Sequence, residues 1–106
     1  MTAKEVISEH EPEQHEIQLK ESIVLLQRAN PVDENALLVK QFELAEYLVE
    51  KRRNEEAIEL LLECVAIDRN WEGRKAQTLL TDVFKTLGSA DDLVIQSRKR
   101  LSKLLF

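Results

Sequence analysis

Residues 38–68 read LVKQFELAEYLVEKRRNEEAIELLLECVAID. Two apolar series run through this stretch at spacings of three and four, Leu38, Phe42, Ala45, Leu48 and Val49 first, then Ala57, Ile58, Leu61, Leu62 and Val65. Such spacing predicts a pair of amphipathic helices, because 3.6 residues complete a turn. The first reaches about Arg52; Asn54 is the expected N-cap of the second, with Glu55 and Glu56 in its first turn and its end at about Ile67. So short a connection forces the two to lie antiparallel as a hairpin. The second helix leaves only Glu59 and Glu63 for water, which suits a helix sandwiched between neighbours. Ala45, Ala57 and Cys64 are small where helices cross closely, so a bulky residue at either alanine should overpack the crossing.

The same reading extends outward. Upstream, a helix is expected from near Pro12 to about Ala29 with Ile17, Leu19, Ile23, Val24 and Leu26 as its apolar members, ended by Asn30-Pro31. Asp33 is placed to cap the next helix, which also carries Leu37. Residues 1–11 show no apolar period and are expected to be a disordered leader or linker ahead of a helical domain spanning 12–106. Downstream, Ala76, Leu79, Leu80, Val83 and Phe84 mark a helix from about Arg74 to Leu87, with Gly88 as a left-handed cap. Ser89 and Asp92 approximate a capping box for a fifth helix. The expected fold is all-α, about five helices in antiparallel hairpins.

Composition narrows the function classes. No run approaches the length of a bilayer span and the first residues are too polar for a secretory signal, so a cytoplasmic protein without membrane contact is expected. A net charge of -5 argues against nucleic-acid binding, which needs basic side chains to neutralise phosphates. The lone Cys64, inside an apolar helical run and with no flanking Lys, Arg or His, reads as core. Glu11 and His15 lie four apart, but two ligands make a poor metal site, and they read as solvated surface, as does His10. There is no phosphate loop and no Ser-His-Asp order, so no catalytic residue, cofactor or metal is expected. Trp71 is either an exposed recognition anchor or a plug at the corner between the third and fourth helices, and the plug is favoured.

The period of residues 38–68 resembles the tetratricopeptide repeat, whose helix-turn-helix unit is about 34 residues long. Ala45 takes the small position of its first helix, followed by Glu55-Glu56-Ala57-Ile58, Leu61, Cys64 and Asp68; degenerate partial copies lie upstream at Glu21-Ser22-Ile23 with Ala29 and downstream over 72–105. Arg52 stands where that family often has glycine, and Arg69 where it often has proline. Further on, Asp68-Arg69-Asn70-Trp71, Arg74, Phe84, Leu87-Gly88, Asp91-Asp92, Leu93-Val94, Arg98, Arg100-Leu101 and Leu104-Leu105-Phe106 follow in order. With Ala29-Asn30-Pro31 and Asp33, this succession is similar to the helical C-terminal domain of bacterial thioredoxin-like co-chaperones, or chaperedoxins, over about residues 20–106. No Cys-x-x-Cys is present, so the redox activity of such proteins is not carried over.

The resemblance implies a non-catalytic module that docks on a chaperonin or an unfolded client protein. Two other readings stand beside it: the docking arm of a thiol-disulfide oxidoreductase whose catalytic domain lies elsewhere, and a structural self-association domain. The expected partner-binding element is the last helix, about residues 90–106. There Val94, Leu101, Leu104 and Leu105 gather on one side for packing on the fourth helix, Arg98 and Arg100 project elsewhere, and Phe106 reaches outward. Arg98, Arg100, Leu104, Leu105 and Phe106 are therefore the candidate site.

Overall fold

Leu19, Ile23 and Leu26 recur at i, i+4 and i+7, so they share one stripe of a helix, and that stripe is the buried one: the first two are buried and the third is half-buried. The helix is α1, Thr2–Arg28. In the computed structural model residues 2–106 are described, with side chains from Gln14 onward. The expected boundary between a leader at 1–11 and a helical domain from Pro12 falls on residues whose side chains lie outside that range, as do His10 and Glu11. Ile17 and Val24, expected among the apolar members, stand exposed at 54% and 41%: Ile17 is two positions from Leu19, a rotation of about 200°, and Val24 is one position from Ile23, a rotation of about 100° away from the buried stripe.

Four further helices follow: α2 Glu34–Glu50, α3 Asn54–Ile67, α4 Lys75–Leu87 and α5 Asp92–Leu105, with a single 3-10 turn, Trp71–Gly73, between α3 and α4. No strand occurs among the described residues. Asp33 caps α2 as expected, its Oδ1 accepting from the Ala36 N–H at 3.0 Å. The α2–α3 corner is closed by the Arg53 N–H donating to the Leu48 carbonyl and the Arg52 N–H to that of Val49, the pair of bonds that ends a helix on a left-handed residue. Arg52 is that residue, at φ 61°, which is why glycine is common there in the resembled repeat.

Asn54 is the first residue of α3 rather than its cap. The cap position is held by Arg53, whose side chain makes no capping bond and instead donates to Glu16 of α1 and Glu56 of α3. α3 is the hub, in contact with α2, α4 and α5. Ala57, Ile58, Leu61, Leu62, Cys64 and Val65 are buried along it, whereas Ala66, read as apolar interior, is exposed. Two clusters form the core: one joins α1, α2 and α3 through Leu19, Ile23, Leu37, Leu44, Leu48 and Ala57; the other joins α2, α3, α4 and α5 through residues such as Phe42, Leu61, Leu80 and Val94.

Gly88 ends α4 at φ 94°, ψ 147°, an extended positive-φ conformation and not the left-handed helical one expected. The chain must leave α4 in an extended direction to reach the next cap, and only glycine enters that region readily. That cap is Asp91, whose carboxylate accepts from the Leu93 N–H at 2.8 Å, so Ser89 and Asp92 do not form the anticipated capping box.

Candidate interaction surface

α5 lies chiefly against α3, not α4. Val94, Ser97, Leu101 and Leu105 fall in step at i, i+3, i+7 and i+11 and form the seated stripe: the first two are buried, the latter two half-buried against the core. The five candidate residues consequently separate. Leu105 belongs partly to this seat. Leu104, one residue before it and about 100° round the helix, is 38% exposed, and Phe106 is fully exposed. Arg98 is exposed, with its guanidinium 5.6 Å from the centre of the Phe84 ring of α4. Arg100 is engaged within the fold: it grips both carboxylate oxygens of Glu59 on α3, one at 3.1 Å, which holds that carboxyl below its usual range.

What the structure brings next to Phe106 is a set of residues not anticipated as functional. A groove of about 410 Å³ is lined by Arg69, Asn70, Arg74, Gln77, Leu105 and Phe106. Asp68 positions the loop by accepting from the Asn70 N–H at 3.0 Å. Arg69 Nη1 donates to the Leu105 carbonyl at 2.9 Å, tying the loop to the end of α5, and Gln77 Nε2 donates to the Arg69 carbonyl at 2.7 Å. Arg74, which also lines the groove, is the last of three consecutive positive-φ residues, Glu72 (48°), Gly73 (63°) and Arg74 (66°). Arg69 and Arg74 stood out in the sequence, the first by replacing a frequent proline, yet nothing along the chain indicated that they converge.

Other candidates resolve as structure. Trp71 is buried: its ring meets Phe42 edge-on at 5.7 Å and its Nε1 donates to Asn35 Oδ1 at 3.0 Å, so it plugs the corner while anchoring to α2. Lys75 covers the Phe42 ring at 4.6 Å. His15 lies edge-on to Tyr47 at 5.5 Å. No cluster of metal-ligating side chains occurs among the described residues, and no described helix is long and apolar enough to cross a membrane. A second groove, about 460 Å³, has apolar walls from Val49, Leu79, Val83 and Leu87.

Cys64 is fully buried, as expected, and burial pushes its thiol up to about 12. Its Sγ lies 3.9 Å from the Oε1 of Gln41, a buried amide that the apolar pattern of α2 passed over and that also donates to Glu63 at 3.3 Å. Since the thiolate is the nucleophile, a thiol reagent is expected to label native Cys64 at least about a hundredfold more slowly than the denatured chain. Equal rates in stopped-flow labelling would remove the residue from the core.

The family described as Tetratricopeptide repeat matches residues 27–106. No curated protein and no solved structure matches the chain.

Proposed function

Because the chain belongs to the tetratricopeptide repeat family, whose stacked helix pairs generally bind other proteins, we propose that it is a non-catalytic interaction module that engages its partner through the outer end of α5. The observation that carries this reading is Phe106: an aromatic ring wholly in water beside an open groove is the kind of residue that gains most from being covered. Leu104 extends the same exposed end, and Arg98 stands exposed midway along the helix. The succession from Asp68 to Phe106 supports the finer reading of a co-chaperone domain of the chaperedoxin type, with a bacterial-type chaperonin as the partner and an unfolded client as the alternative. A cytoplasmic site of action goes with that reading.

The fold refines the test. Removing Leu104 to Phe106 together would also remove half-buried Leu105 and the carbonyl that receives Arg69, and reversing Arg100 would break its pair with Glu59. Phe106→Ala and Leu104→Ala are cleaner, because neither side chain belongs to the core. Each is expected to cut recovery of purified chaperonin about tenfold while leaving the circular dichroism spectrum and melting curve unchanged. Undiminished recovery with both variants would defeat the reading. Self-association keeps some support from Ile17, Val24 and Leu25, exposed on one side of α1; a mass that grows with concentration in light scattering would favour it.

A further inference from the structure

α1 is apolar on two opposite sides. Leu19, Ile23 and Leu26 face inward, the first two buried in the cluster that holds Leu37, Leu44 and Leu48 of α2. Ile17, Val24 and Leu25 stand in water, 54%, 41% and 70% exposed. At about 100° per residue these three share, with Glu21 and Arg28, one face about 100° wide, centred roughly opposite the buried stripe. A helix that closes a bundle with one side needs a single apolar stripe; a second stripe opposed to the first is the pattern of a helix packed between two neighbours. Glu21 and Arg28 are both exposed and belong to none of the ion pairs among the described residues.

We infer that this face is a two-fold contact between copies of the chain, in which α1 lies antiparallel to the α1 of a second copy with the axis passing between Val24 and Leu25. The order of the residues selects that occupant. In an antiparallel helix pair about a two-fold axis, residues equally far to either side of the axis meet. Val24 then meets the partner's Leu25. Glu21 stands three residues before Val24 and Arg28 three after Leu25, so each meets the other in the partner, and two identical ion pairs flank an apolar centre. Ile17, seven residues before Val24, is matched by Val32, seven after Leu25 and itself 41% exposed. A parallel pair would instead set Glu21 on Glu21 and Arg28 on Arg28, and like charges in contact oppose it. From Ile17 to Arg28 the seam is about 16 Å long. One helix face of that length falls short of the roughly 800 Å² per partner of a standard interface, so the pair is weak, with a dissociation constant on the order of 0.1 mM. Phe106 takes no part in it, and the contact does not rest on the chaperonin reading.

The test is sedimentation equilibrium of the whole chain from about 10 μM to about 1 mM. The mass is expected to rise from 12.3 kDa towards twice that value and to stop there. Leu25→Glu should remain a monomer with the parent's circular dichroism spectrum. Glu21→Arg alone and Arg28→Glu alone should each weaken association about tenfold, because like charges then meet on both sides of the axis. The two variants mixed should associate at least as tightly as the parent, since every pair across the seam is again of opposite sign. A mass that stays at one chain, growth beyond two chains, or a mixture no tighter than either variant alone overturns the contact. Loss of association in Phe106→Ala also overturns it, by placing the self-contact at the α5 end. That variant is expected to lose chaperonin and keep the pair, so the two readings fail separately.

Discussion

Leucine in place of Ala57 or Ala45 is expected to destabilise the protein by about 1–3 kcal/mol in each case. Both alanines are completely enclosed. Ala57 lies in the cluster of Leu19 and Ile23 from α1 with Leu37, Leu44 and Leu48 from α2, so a larger side chain there must displace two helices at once. Ala45 lies in the other cluster, with Leu38, Phe42, Leu61 and Val65 among its members. Three added carbons have no room in an interior packed to organic-crystal density, and the cost appears as off-rotamer side chains or a shifted helix. In a domain of this length each kcal/mol lowers the melting midpoint by roughly 4 °C or more. Ala66→Leu provides the control, because Ala66 lies on the same helix as Ala57 but faces water. Its melt should stay near the parent's. If Ala45→Leu and Ala57→Leu also melt with the parent, the close α2–α3 crossing is misassigned; if Ala66→Leu falls as far as they do, the effect is not one of packing.

Those two alanines illustrate what the chain makes legible. Apolar residues three and four apart locate all of α2, α3 and α4 to within a residue or two at each end, because the stripe and the burial it produces are the same fact. Punctuation is read less well. Asn54 and Ser89 have the right chemistry for caps, but Arg53 and Asp91 occupy those positions, since the cap is set by where the backbone leaves the helix and neighbouring residues of similar type compete for it. Gln41 escaped notice because a polar residue inside an apolar series reads as surface; only its neighbours across the interface, Cys64 and Glu63, show why it can be buried. The end of α5 shows the limit most clearly. Arg98, Arg100, Leu104, Leu105 and Phe106 are adjacent in the chain, yet Arg100 is taken by Glu59 and Leu105 by the core. The neighbours of Phe106 come instead from residues 69–77, brought together by the strained turn after Trp71, and nothing local to either segment encodes that meeting.

Acid should loosen α1 before it unfolds the rest. Glu16 is the half-buried anchor of that helix: its two oxygens accept from Arg53 Nη1 at 2.6 Å and Nη2 at 2.8 Å, and Lys20 approaches at 2.8 Å. Arg53 in turn holds Glu56 at 2.6 Å, so one guanidinium at the α2–α3 corner clasps α1 to the first turn of α3. The hydrogen bonds from Arg53 and Lys20 hold the Glu16 carboxyl at about 2, against 4.5 for an unperturbed glutamate. A group whose folded pKa is depressed binds protons more readily in the unfolded chain, so its contribution is complete above 4.5 and is lost as pH falls from there towards about 2. Arg53 remains charged throughout that window. Its side chain is 37% exposed, so solvent and salt weaken the clasp. At neutral pH Glu16→Gln is expected to cost about 1–2 kcal/mol, the scale of a hydrogen bond between charged groups. Urea midpoints taken from neutral pH downwards should fall below 4.5 more steeply for the parent than for Glu16→Gln, and the two curves should converge near the acid end. Hydrogen exchange at neutral pH should place the variant's extra opening in α1, with α3 amides little changed, because the clasp joins α1 to a corner that α2 and α3 form without it. Parallel acid limbs for the two proteins would mean that Glu16 is not the titrating link, and extra exchange spread evenly over all five helices would mean that α1 does not open on its own.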